Sequence, residues 1–158
     1  MPVAFVNPLQ MYMGKNISEI CLNGYTDTTF NHCAHFVSHV MQFKFGYQCN
    51  IAGGKPNSAG YCVRVHELFS RCPQVGKFDD RKDLHSCLVF VTLPANVNLT
   101  AKTMDNVPRK HVGIYFNGLI YHYSNSQDKV ISQTPEQFIN HYPNQKNGLF
   151  YGSFPPGN

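Results

Sequence analysis

An α+β domain, with N-terminal helices packed on an antiparallel sheet, is predicted by three observations. Apolar residues at 36, 37, 40, 41 and 43 recur at helical spacing. From residue 87 the pattern changes to short β-rich runs, beginning with Cys87-Leu88-Val89-Phe90-Val91-Thr92-Leu93 and stopped by Pro94. Asn117-Gly118 then stands between two further β-type runs, the strongest short hairpin signal there is. Helices first and strands afterwards is the α+β order.

The elements follow in sequence. The first thirty residues mix Pro, Gly, Asn and Thr with short apolar stretches and read as irregular structure around the core. The first helix opens near Asn31-His32-Cys33, with Asn31 as N-cap candidate and Thr29 as the alternative. Residues 50–60, rich in Gly, Pro, Asn and Ser, read as a surface loop. Residues 61–71 read as a short second helix that turns Val65, Leu68 and Phe69 inward. After the strand at 87–93, about fifteen polar residues read as a loop. Thr134-Pro135-Glu136-Gln137 opens a late helix with an N-cap, a first-turn proline and a capping-box Gln.

Composition sets the outer bounds. A chain of 158 residues suits one domain spanning 1–158, with 42% hydrophobic and 14% charged residues placing it among globular chains. The formal charge of +4 comes from Lys and Arg that never run longer than two, so no nucleic-acid footprint is expected. No segment has the length of a membrane span. Met1-Pro2-Val3-Ala4-Phe5 lacks the cationic-then-apolar pattern of a signal peptide, so the expectation is a protein made in the cytoplasm.

Six cysteines stand at 21, 33, 49, 62, 72 and 87. A chain of this size has no need of a disulfide framework, and a reactive Cys33 would leave at least one other unpaired. Cys62, His66 and Cys72 lack a fourth ligand at zinc spacing and read as buried small side chains. His35 and His39 lie four apart on one helix, with no Glu between them and no third ligand evident, so they read as facing solvent or a groove. Neither a metal nor another cofactor is expected.

Cys33 at a helix start would meet unpaired N–H groups and the positive end of the helix dipole, both of which favour a nucleophilic thiolate. A buried structural cysteine is the competing reading, and position alone does not decide between them. The hairpin adds the second observation. A two-residue turn sets Phe116 against Leu119, Ile114 against Tyr121, Gly113 against His122 and His111 against Ser124. Val112, Ile114, Phe116, Leu119, Tyr121 and Tyr123 then share a core face, while His111 and His122 share the other as diagonal neighbours, roughly 7–8 Å apart at the backbone. Nucleophile, base and orienter follow as Cys33, His111 and His122.

These residues, in this order, resemble the NlpC-type papain-like cysteine peptidases, whose relatives include the CHAP amidases and the amidase effectors of type VI secretion. Asn31-His32-Cys33-Ala34-His35-Phe36-Val37 is similar to the nucleophile motif, His111-Val112-Gly113-Ile114-Tyr115 to the strand carrying the catalytic histidine, and His122 stands near the third residue. The likeness covers about residues 25–125. His32 stands where the family has Asp, Ala34-His35 where it has Ser-Gly, and the Gly-Asp pair before the strand at 88 is missing.

The resemblance implies a papain-like NlpC-type fold and a cysteine peptidase or amidase that cuts amide bonds in peptidoglycan stem peptides or cross-links. It implies an exported antibacterial effector acting in the periplasm of target cells, and an immunity protein as its inhibitor. Asn125 and Asp128 compete with His122 for the third role. Tyr25 resembles the tyrosine placed beside the oxyanion site, with the Cys33 amide as chief oxyanion donor. A cysteine hydrolase or deamidase acting on a host protein, and a non-catalytic binding module of the same fold, stay open as alternatives.

Overall fold

The computed structural model describes residues 8–21, 31–45 and 64–156. Helix α1 spans Cys33–Met41, α2 Val65–Arg71 and α3 Pro135–Phe138. Strands β1 (Val75–Lys77), β2 (Ser86–Thr92), β5 (Lys110–Phe116), β6 (Leu119–Ser124), β7 (Lys129–Gln133) and β8 (Gly148–Gly152) form one sheet in the order β1-β8-β2-β5-β6-β7. Every neighbouring pair in it is antiparallel. Between β2 and β5, the stretch expected as a loop holds a separate two-stranded ladder of β3 (Val97–Asn98) and β4 (Thr103–Met104). Strands that short carry too few side chains for a period-2 pattern to show.

β2 lies inside the sheet and is buried on both faces, which is why its sequence is a continuous apolar run without alternation. Leu88 and Phe90 join the core on one face, whereas Cys87, Val89 and Val91 join a second core on the other. α1 packs Cys33, Ala34, Phe36 and Val37 into the first core, against Val112, Ile114, Tyr121 and Tyr123. α2 adds Val65, Leu68 and Phe69 to the same core, as its spacing predicts.

The hairpin turn has positive φ at both central residues, Asn117 (48°) and Gly118 (94°), as a type I′ turn requires. Its ladder pairs Phe116 with Leu119, Tyr115 with Ile120 and Ile114 with Tyr121, the register expected from the loop length. The ladder stops there, short of the expected Gly113–His122 and His111–Ser124 pairs, while β2 flanks β5 from Lys110 to Phe116 and β7 flanks β6 from Ile120 to Ser124. The face that carries His111 and His122 is not a half-wet one. Phe138 from α3 covers it, together with Tyr115 and Ile120. α3 begins with the expected capping box, Thr134 accepting from the Gln137 amide and Gln137 returning a bond to the Thr134 amide.

Candidate active site

Cys33 is the first residue of α1, and His32 occupies the N-cap position without a side-chain cap. The expected cap, Asn31, stands one residue further out. Its Oδ1 still accepts the Cys33 N–H at 2.9 Å, so the capping bond survives while the helix boundary shifts by one. Asn125, just past β6, completes a clasp: its Nδ2 donates to the same Asn31 oxygen at 2.9 Å, and its Oδ1 accepts the His32 N–H at 3.0 Å. The loop after the hairpin thus holds the start of the helix that carries Cys33. The Cys33 amide, expected to hold an oxyanion, is engaged by Asn31 in this conformation.

The helix start does not by itself produce a thiolate. Cys33 is 1% exposed, and burial pushes its thiol up to about 11. Hydrogen bonding from the backbone of Val112 and Ala34 works against that rise, as does the charge of Lys110, without overcoming it. Desolvation of an anion outweighs the dipole here. The Val112 interaction also shows where Cys33 lies: beside β5, at the residue that follows His111.

His111 and His122 form the core of a buried relay. His111 Nε2 and His122 Nδ1 are 2.9 Å apart, and His122 Nε2 lies 2.7 Å from Gln133 Oε1. An amide oxygen only accepts, so His122 Nε2 carries the proton and its Nδ1 presents a lone pair. His111 Nε2 must then donate, which leaves His111 Nδ1 as a bare acceptor. That atom is buried and has no hydrogen-bond partner among the described residues. Burial, followed by the neighbouring His122 and His141, holds the His111 imidazole well below the ordinary histidine range. Burial also lowers His122 to about 4, although the Gln133 bond opposes it. Both rings rest neutral near pH 7, the form a general base must have.

Aromatic packing fixes these rings. His141 stacks on His111 with centroids 3.9 Å apart and planes 15° from parallel, and Phe138 meets His122 edge-on at 4.9 Å. Gly113 makes the approach possible. A Cβ there would lie 2.6 Å from Ile120 Cγ2 and 3.0 Å from His122 Cβ. Gln133 and His141 were not singled out in the sequence. The β-branched pair Val130-Ile131 ahead of the Thr134 cap hinted at a strand, but only the pairing of Ile120 with Gln133 across β6 and β7 puts Gln133 on the face of Ile120 and His122. His141 carried no comparable signal.

The remaining candidates fall outside the relay. Asn125 belongs to the clasp. The Asp128 carboxylate accepts from Tyr123 Oη at 2.8 Å, and that hydroxyl in turn accepts the Ile17 N–H at 2.9 Å, so Asp128 braces the N-terminal segment. Tyr25 lies outside the described residues, as do Cys49 and Cys62. Cys72 is buried with its thiol on the Leu68 carbonyl. His35 corrects the reading that faced it to solvent or a groove: it is fully buried, in a second cluster with His32, His39 and Cys21. The missing information was tertiary, because residues 8–21 return across α1. Two surface grooves, one walled by Arg81, Asp83 and Tyr151 and the other by Phe78, Pro135 and Phe150, include neither Cys33 nor His111. Comparison with known proteins finds no matching family model, no matching curated protein and no matching solved structure.

Proposed function

We propose that the chain is a cysteine amidase or endopeptidase of NlpC-like, papain-type architecture, with Cys33 as nucleophile, His111 as base and His122 as orienter. One observation carries the reading: the relay from Gln133 through His122 strips His111 Nδ1 of its proton and leaves it buried without a hydrogen-bond partner among the described residues. Such an acceptor costs about 1–3 kcal/mol to bury and suits a group that exists to take a proton. Val112, whose backbone reaches Cys33, is its chain neighbour.

In the first half-reaction His111 Nδ1 takes the Sγ proton, sulfur bonds to the amide carbon, and the resulting oxyanion collapses. The C–N bond breaks, His111 returns the proton to the leaving amine, and a thioester remains. In the second half-reaction His111 deprotonates water, which attacks the thioester and releases a carboxylic acid and the Cys33 thiol. The buried thiol must be uncovered for substrate to reach it. Peptidoglycan stem peptides or cross-links are the proposed substrate, an antibacterial effector the proposed role, and the periplasm of a target cell the proposed place. An immunity protein that plugs the site is the proposed partner.

The test is mass spectrometry of purified muropeptides incubated with the protein and with its Cys33→Ala form. New amide-cleavage products that require Cys33 are expected. Intact muropeptides, together with cytoplasmic toxicity that requires Cys33, would move the substrate to a protein. The burial of Cys33 and its raised pKa favour a second reading, a binding module in which the thiol is inert. Toxicity that is indifferent to Cys33→Ala in both compartments would select it.

A further inference from the structure

We propose that Cys21, His35 and His39 form a binding site for a divalent transition metal, zinc foremost, that fastens the N-terminal segment to α1. His35 and His39 lie one helical turn apart on one face of α1, and Cys21 comes from the segment that crosses it. The three ligand atoms lie within 4.8 Å of one another. Tetrahedral zinc at ordinary Zn–N and Zn–S lengths sets its donors about 3.3–3.6 Å apart, so a small convergence completes the site.

The two histidines already face each other through the ligating atoms, with His35 Nε2 and His39 Nε2 3.1 Å apart. The opposite edge of His35 is held as well, by another imidazole. Its Nδ1 lies 3.0 Å from His32 Nδ1, and in the tautomer that ligates metal His35 Nδ1 donates to His32 and Nε2 presents its lone pair toward Cys21 and His39. His32 is itself fixed edge-on against Tyr123 at 5.7 Å. Cys21 and His35 are buried and His39 is half-buried, which shields the site from solvent. One thiolate and two imidazoles suit zinc and its cobalt substitute, and are poor donors for magnesium or calcium. A fourth donor, water or another side chain, completes four-coordination. The proposal does not rest on the hydrolase reading, because neither Cys33 nor His111 supplies a ligand.

The experiment is titration of metal-stripped full-length protein with Co2+, followed by displacement with Zn2+. The expected result is stoichiometric binding, with a thiolate-to-cobalt charge-transfer band and tetrahedral d–d bands that zinc abolishes. Cys21→Ser should remove the charge-transfer band, and Cys33→Ala should keep it. His32→Gln, which removes the ring nitrogen that supports His35 together with the edge contact to Tyr123, should weaken binding about 10–100-fold. His39→Gln guards against a misfolded Cys21→Ser. Its half-buried position tolerates the change, and with circular dichroism unaltered it should lose the tetrahedral spectrum. Overturning results are the absence of a charge-transfer band, a band that disappears with Cys33→Ala, or identical cobalt spectra for the native chain and His39→Gln.

Discussion

Two chains of histidines run through this molecule, one on each side of the sheet, and they end differently. His111 and His122 meet at 2.9 Å, while the α1 cluster has ring nitrogens 3.0 and 3.1 Å apart. The first chain terminates on the amide oxygen of Gln133, a group that only accepts. Every proton along it therefore points one way and a bare nitrogen emerges at the far end. The second lies against Cys21, whose ligand atom is within 4.8 Å of those of His35 and His39 and whose sulfur donates as a thiol or ligates as a thiolate. His35 Nε2 and His39 Nε2 face each other beside that sulfur, while His35 Nδ1 meets His32. Residue type and contact distance are nearly the same, so the partner each set meets is what separates the proposed base from the proposed ligand set.

The comparison breaks most sharply at the reacting groups. Cys33→Ala should abolish hydrolysis while the circular dichroism spectrum stays that of the native protein. Full activity in that form, or faster iodoacetamide labelling of another cysteine, would remove Cys33 from the mechanism. His111→Ala should lower kcat by about 10²–10⁴-fold, the range supplied by a positioned base. His122→Ala should cost less, because water can replace part of an orienter's work. Should Asn125→Ala prove more damaging to turnover than His122→Ala, the role of orienter passes to the clasp.

The polarity of the relay can be sharpened through Gln133. Gln133→Ala should lower kcat about tenfold, the equivalent of one buried hydrogen bond, with KM little changed. Gln133→Glu keeps an oxygen acceptor and should retain most of the activity. Equal damage from both would show that the amide's direction does not set the tautomer.

Protonation separates the relay from an ordinary buried pair. His122 titrates at about 4 in the folded chain against an ordinary value of 6.5. The unfolded chain therefore binds the proton first as pH falls. Stability is complete above pH 6.5 and declines between 6.5 and about 4, by about 3 kcal/mol for His122 alone. Urea unfolding at several pH values should show this slope, and His122→Gln should flatten it. The smallest effect belongs to the clasp, where Asn125→Ala should reduce stability by about 1 kcal/mol, as loss of a capping bond does.

Local chemistry made much of this legible in the sequence. Asn117-Gly118 set the turn type and with it the faces of β5 and β6, so the pairing of His111 with His122 followed from a period of two. The inward residues of α2 and the cap of α3 followed equally from short-range patterns. What stayed hidden depends on which segments meet. Cys21 stands beside His35 and His39 only because the chain returns across α1, and Gln133 reaches His122 only through a strand pairing that the sequence leaves open. The extent of burial was hidden for the same reason. A helix start favours a thiolate, but the cover that desolvates Cys33 comes from elsewhere in the chain.

Gly113 has a consequence for anyone altering this protein. Its missing side chain is the space in which His122 and Ile120 sit. A saturation library at position 113, selected for activity, should return glycine almost alone. Recovery of an alanine would call for a second change at Ile120, the nearest side-chain obstacle to the added methyl. The histidine relay is thereby coupled to an apolar neighbour that takes no part in the chemistry, and drift at either position is answerable to the other.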